Sequence, residues 1–293
     1  METEGRIDRI TQLWVRLSGR EVSFEECPWL RGPVGNPARI ADEWLRQEAE
    51  RQGAVMTEGV GLLTDMATLA GGGFNPLQLA APVINFYENT LDWSMEVTHK
   101  WSPVALPIGR LLSALFTRRI QQLNFPLKSS DTAHRMDSRL TSLMTKDGVQ
   151  LGVAWMRTLP STGQYVYSGW YGTTNLPGSA RPSLRVVFPL PNGSVIVFLR
   201  PEIGDDGSLI LVSPLGAFGD AGAYLVVARP DQSSGWVRRV PIVERFVVRS
   251  ADEKTLFTDH ALSLWHLPII RFHYRLRRGS IGPNETATSA TMT

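Results

Sequence analysis

The chain has 293 residues, 43% of them hydrophobic and 20% charged, with 30 basic against 28 acidic side chains and a formal net charge of +2. That balance excludes a disordered chain and gives no broad electrostatic preference for nucleic acid, so no nucleic-acid partner is expected. A single cysteine, Cys27, rules out an internal disulfide and a Cys-rich zinc site.

The first half reads as helices. Ile7, Ile10, Trp14 and Leu17 recur at three- and four-residue spacing, the signature of an amphipathic helix. Asn36-Pro37 pairs an N-cap residue with proline at the first helical position, and the helix it opens carries Ile40, Ala41, Trp44, Leu45 and Glu48 to a stop at Gly53. Gly71-Gly72-Gly73 is a joint. From Pro82, the spacing of Val83, Phe86, Tyr87, Leu91 and Val97 predicts one long helix ending near Lys100, and a further helix is expected from Pro107 to Leu123.

The period changes near Lys146-Asp147-Gly148. Ten runs rich in β-branched and aromatic residues follow, near 149–158, 164–171, 183–190, 194–200, 208–213, 222–228, 236–241, 243–250, 255–266 and 269–277. Asn192-Gly193 and Asp206-Gly207 stand between alternating apolar flanks and are read as hairpin turns. The expected fold is α+β: a helical cover over residues 1–145, an antiparallel β-barrel or strongly curved meander sheet over 146–278, and a disordered tail over 279–293.

Familiar chemistry is missing. The sequence contains no G-x-S-x-G elbow, no P-loop and no H-E-x-x-H helix. Gly59-Val60-Gly61 begins like a dinucleotide fingerprint, but Thr64 stands where the third glycine belongs. Neither a cofactor nor a metal is expected. The METEGRIDRITQLWVRL start lacks the apolar core of a secretion signal, and no run approaches the roughly 18 apolar residues of a spanning helix. With one cysteine, that predicts a cytoplasmic protein.

Four constellations bear on function. On the predicted long helix Glu88, Asp92, Glu96 and His99 share one face; a solvated face is the stronger reading, ahead of acid–base work or metal binding. In the run from Tyr165 to Tyr171, alternation sets Tyr165, Tyr167, Gly169 and Tyr171 on one side and Val166, Ser168 and Trp170 on the other. A row of phenols beside a glycine suits a ligand chamber, and ordinary aromatic packing is the competing reading. Near the C-terminus His260, Leu262, Leu264 and His266 share a face, with Trp265 on the other, while Asp259 and His260 point apart and cannot pair with each other. Charged Arg157, Arg185, Arg200, Glu202 and Glu244 lie within apolar runs; most are expected at the rim, and Arg185, with apolar neighbours on both faces, is the exception to watch.

A β-rich half with a helical cover, nine tryptophans and six tyrosines predicts an apolar cavity. The leading expectation is a cofactor-independent enzyme that isomerises, cyclises or hydrates a polyketide, terpenoid or lipid. Tyr167, Tyr171, His260 and His266 would be its acid–base groups, and Arg185, Trp170, Tyr165 and Trp265 its substrate contacts. One alternative is a carrier with the same cavity and no chemistry. Another is a peripheral membrane protein using Trp101–Phe116, with Arg118-Arg119 on headgroups.

Overall fold

A computed structural model describes residues 2–35, 43–102, 137–158 and 165–279; side chains are described from Arg9 onward and, in the strand that begins at Tyr165, from Ser168. The predicted 107–123 helix, the Trp101–Phe116 segment beyond Ser102 and the tail after Gly279 lie outside the described residues.

All ten predicted strand runs form strands. They are β5 (Gln150–Thr158), β6 (Tyr165–Thr174), β7 (Ser183–Leu190), β8 (Gly193–Ile203), β9 (Leu209–Ser213), β10 (Gly222–Ala228), β11 (Ser234–Val240), β12 (Ile242–Asp252), β13 (Thr255–Leu264) and β14 (Leu267–Arg278). The first 145 residues are not helices alone. They contribute α1 (Glu2–Ser18), α2 (Glu43–Gln52) and α3 (Ala81–Glu88), and also strands β1 (Arg20–Ser23), β2 (Val55–Glu58), β3 (Trp93–Trp101) and β4 (Asp137–Met144).

The long helix expected from Pro82 to Lys100 is overturned. It stops as α3 at Glu88, where the Asn89 amide still reaches Asn85 O, and the chain re-emerges as β3. Trp93, Met95, Val97, His99 and Trp101 also alternate with period two, and β3 pairs along its length with β14, from Trp93↔Arg278 to Trp101↔Ile270. Nine residues of tertiary pairing outweigh a helical spacing that was only intermittently apolar.

The strand order is β2-β4-β5-β6-β7-β8-β9-β12-β13-β14-β3, and a branch runs from β8 through β10 and β11 to β1. Every strand pairing is antiparallel. The terminal strands β2 and β3 do not pair with each other, so the sheet is not closed. The chain between them crosses the gap: Leu91 N donates to Val60 O, Leu63 N to Tyr87 O, and Leu62 N to Thr90 Oγ1. α3 lies in that crossing and buries Val83, Phe86 and Tyr87 in the main core.

Strands β7, β8 and β10 are covered on both faces, which explains the unbroken apolar runs of β8 and β10. Val186, Val195, Val197, Leu199, Leu225 and Val227 join the main, inner core. Val187, Ile196, Phe198, Tyr224 and Val226 face the other way, under Trp29 and Leu30 and under Trp44, Leu45 and Ala49 of α2. Trp29 meets Phe198 and Tyr224 at ring-centroid distances of 5.4 Å each. Each such large side chain withdraws apolar surface worth roughly 1.5–3 kcal/mol.

The first hairpin turn sits one residue earlier than the sequence suggests. Leu190 pairs with Gly193, so Pro191 and Asn192 are the turn residues, and Asn192 has φ 59°. Proline followed by a left-handed residue is a type II pattern. Gly193 is required for another reason: a Cβ there would lie 1.9 Å from Val226 O on the neighbouring β10. The Gly59-Val60-Gly61 run has an equally steric meaning. A Cβ on Gly61 would lie 2.2 Å from Glu88 O, so the strap over α3 passes only if that position is bare. Gly61→Ala is expected to cost about 1–3 kcal/mol in urea unfolding, as overpacking against backbone does. Gly172→Ala, whose Cβ would meet nothing closer than 3.5 Å, is expected to cost much less.

Candidate functional site

The curl of the sheet brings distant strands together. β5 and β14 are seven steps apart in the strand order, roughly 34 Å in a flat sheet. Yet Tyr274 of β14 feels the charge of Arg157 on β5 and of Tyr171 on β6. The inner faces of β5, β6, β12, β13 and β14 therefore look at one another.

At the centre of this inner surface is His260. Its Nε2 lies 3.0 Å from Glu244 Oε2, a diagonal contact between β13 and β12, where His260 stands opposite Phe246 and Glu244 opposite Leu262. The imidazole stacks on Phe246 at 3.7 Å and 14°, and on Phe272 of the other neighbouring strand at 5.3 Å and 25°. Tyr274 follows at 6.4 Å. Both members of the pair are largely buried, with side chains 11% and 15% exposed. His260 Nδ1 is buried and has no hydrogen-bond partner among the described residues. A carboxylate on Nε2 orients the ring and favours the proton there, which leaves Nδ1 to accept a hydrogen bond in the neutral ring or donate one in the imidazolium.

The surroundings are apolar and only partly covered. Tyr171, Phe246, Leu262, Leu264 and Met95 pack against the main core while staying only half-buried, and Tyr274 is likewise half-buried against Ile269, Ile270 and Phe272. Trp155 meets Tyr171 edge-on at 5.6 Å and carries the Arg157 guanidinium over its ring at 3.8 Å. Burial pushes the Tyr274 phenol well above its ordinary range; Arg157 opposes the shift, and Tyr171 and Glu244 add to it. Burial likewise raises Tyr87 of α3, with Tyr171 again adding.

Of the eight residues singled out from the sequence, the inner surface collects Tyr171 and His260. Tyr165 and Tyr167 lie on β6, Tyr167 in register with Arg157, and their side chains are outside the described part. Trp170 points to the opposite face of β6, buried against Trp44 at 6.3 Å. Arg185 also lies on that outer side. Its guanidinium donates to Arg31 O, and desolvation lowers its pKa to about 10, with Glu48 opposing the shift and Arg51 adding to it. Neither residue can join a site with His260, because successive strand residues face opposite ways.

His266 and Trp265 are corrected too. β13 ends at Leu264, which pairs with Leu267, so both residues form an exposed two-residue turn rather than a strand face. Trp265 adopts φ 52°, its amide held by Pro241 O. Glu88, Asp92, Glu96 and His99 do not share a face: Glu88 caps Met66 N from α3, Asp92 lies beyond that helix, and Glu96 and His99 point to opposite sides of β3. Among the described residues no His/Cys/Asp/Glu group could hold a metal ion.

Glu244, grouped in the sequence with charged residues expected mostly at the rim, and Tyr274, given no role there, are the residues that the structure adds to the inner surface. Arg200 and Glu202 do form a surface ion pair, as rim residues should. Glu244 shares its face of β12 with Phe246 and Val248 instead, a two-residue alternation that the sequence displays. Its diagonal approach to His260 depends on the β12–β13 register. Asp259, adjacent to His260, finds a separate partner on the outer face, His273 Nδ1 at 2.6 Å, and is also held by Arg249 at 2.9 Å. Desolvation raises the Asp259 pKa, but these two contacts outweigh it and hold the carboxyl below its usual range.

A protein of Bacillus subtilis strain 168 described as the uncharacterized membrane protein YndJ is 26% identical over 219 residues, which is 74% of this chain and 38% of that relative. The chain thus spans well under half the length of the relative it matches. No protein-family model matches. No solved structure matches. No helix among the described residues is long and apolar enough to cross a membrane, a statement that leaves strands aside.

The raised phenols make an alkaline signature. Tyr87 and Tyr274 should stay protonated in the native protein at a pH where exposed tyrosines, near pKa 10, ionise. Because the folded pKa lies above the unfolded one, their stabilising contribution is complete below pH ~10 and is lost as pH rises beyond it. Ultraviolet titration of the phenolates is expected to show late-titrating groups. Tyr274→Phe should remove one of them, and a titration unchanged by that substitution would contradict the placement.

Proposed function

We propose that the inner surface around His260 binds an apolar small molecule such as a polyketide, terpenoid or lipid, with the polar end of the ligand at the Glu244–His260 pair. The observation that carries this reading is His260 itself: stacked between Phe246 and Phe272, fixed by Glu244 at 3.0 Å, and with Nδ1 left without a partner among the described residues. A buried, unmet ring nitrogen costs about 1–3 kcal/mol, a cost that a ligand hydroxyl or carbonyl would offset. The half-buried Tyr171, Leu262, Leu264 and Phe246 offer the apolar contact that such a ligand needs. The description of the Bacillus relative as a membrane protein is compatible with a lipid ligand. The compartment we propose is the cytoplasm, which the single cysteine suits.

Catalysis is the second reading, and the Glu244–His260 contact favours it. A carboxylate-oriented imidazole can take and return a proton at Nδ1, sufficient for a cofactor-independent isomerisation, cyclisation or hydration. Tyr171 and Tyr274 would supply phenols to a developing oxyanion.

Native mass spectrometry of the purified chain is expected to find a co-purified apolar molecule. Leu262→Trp, which sets a bulky ring directly opposite Glu244, should deplete it at least tenfold while far-UV circular dichroism stays unchanged. An empty protein that also fails to take up a fluorescent fatty acid would end the binding reading. For catalysis, the molecule recovered from His260→Ala should differ from the wild-type one, by mass for a hydration or by chromatographic retention for an isomerisation. The same molecule in both would leave a carrier.

A further inference from the structure

The sequence marks α1 as amphipathic, and an amphipathic helix on a globular protein ordinarily turns its apolar stripe inward. Here it does the reverse. Ile10, Leu13, Trp14 and Leu17 are 63%, 56%, 43% and 79% exposed, while the helix is anchored through Val15, fully buried, and through Gln12, whose amide donates to Pro191 O at 3.4 Å. Spacings of three, four and seven residues put the four apolar side chains within an arc of about 100° on the side away from the sheet. Four large neighbouring side chains on one free helix face make a patch that monomeric proteins seldom leave to water without use.

The chemistry beside the stripe identifies what would cover it. Arg9 and Arg16 are exposed along one edge of the helix, and Arg20 is exposed just past its end. None of the three pairs with a described carboxylate. Arg238 places its guanidinium over the Trp14 ring at 5.3 Å. An apolar stripe with a tryptophan and unneutralised arginines along its border matches the boundary between acyl chains and anionic headgroups, where leucines enter the chains and arginines meet phosphates.

We propose that α1 is a membrane-docking helix that lays Ile10, Leu13, Trp14 and Leu17 into the interface of an anionic bilayer, with Arg9 and Arg16 on the lipid phosphates. This surface is separate from the His260 site and does not depend on it. It also differs from the segment beyond Trp101 that the sequence suggested. α1 is held from beneath by Val15 and along its edges by β11, where Arg16 lies over the Trp236 ring at 5.3 Å and Arg238 donates to Ser18 O, so Ile10, Leu13 and Leu17 meet a bilayer without unfolding and Arg16 need only swing off Trp236.

The test is co-sedimentation of the full chain with vesicles of phosphatidylcholine alone and of phosphatidylcholine containing phosphatidylglycerol. Wild type is expected to bind the anionic vesicles, more weakly as salt rises. Leu13→Glu with Leu17→Glu should weaken binding by on the order of tenfold per leucine, and Arg9→Gln with Arg16→Gln by about fivefold per arginine. All four positions are exposed, so the thermal midpoint should hold in both double variants. Failure of wild type to bind either vesicle overturns the proposal, as does undiminished binding by the leucine double variant. Equal binding to both vesicles with no effect of the arginine pair overturns the anionic assignment. A wild-type dimer in sedimentation velocity that the leucine variant dissociates, without vesicle binding, would assign the stripe to a second copy of the chain instead.

Discussion

Strand β8 is the constraint on which the rest depends. Residues 193–199 pair with β7, residues 193–198 also pair with β10, and residues 200–203 pair with β9. One strand therefore serves two diverging runs of sheet. A strand flanked on both edges and covered on both faces has no place for a charge along its middle, and Ser194 through Leu199 are all buried. The first charged residues, Arg200 and Glu202, occur where β9 takes over, and they pair with each other at the surface. The bare Gly193 lets β10 approach at the point where the branch begins.

The interior chemistry follows from that branching. Because the order continues from β8 through β9 to β12, β13 and β14, the sheet curls until the inner faces of β5 and β6 look across at β14. His260 on this surface is flanked on both neighbouring strands by rings directly opposite it. Burial there favours neutral phenols and makes an ion costly, so the Glu244 carboxylate is tied to the imidazole rather than left alone. The neighbouring Asp259 has the same type of partner on the outer face, where water screens the pair and its contribution is about 1 kcal/mol or less. Two adjacent residues thus make two carboxylate–histidine pairs with different consequences, because a strand sends them to opposite sides.

The cover of the sheet divides its tasks. α3 and the strap at Gly61 close the gap that β2 and β3 leave unpaired, and α2 shields the outer face with Trp44, Leu45 and Ala49. Among its described side chains α1 buries Val15 and keeps Ile10, Leu13, Trp14 and Leu17 outward. A helix that spends its most apolar residues on solvent adds less to folding than its composition permits, which is the physical reason to look for its function at a surface.

Much of this was legible in the residues. All ten strands after Lys146 could be read because alternation and turn residues are local signals, and the double-sided burial of β8 and β10 is visible in their unbroken apolar runs. Local reading failed mainly where pairing partners were far away: β3 looked helical because its partner β14 begins more than 160 residues later, and β1 and β2 are defined by β11 and β4. β4 was missed for another reason, since its hairpin partner β5 follows within six residues: DSRLTSLM alternates only weakly in apolarity. The candidate site shows the same division. Tyr171 and His260 were readable as inward-facing residues, but Trp170 and Arg185 could be assigned to the other face only once the side holding the larger core was known. Which residues can face inward is a matter of period, which the sequence carries by itself. Which of them meet, and Glu244 with His260 above all, is decided by register and curl, quantities that exist only when the strands have paired.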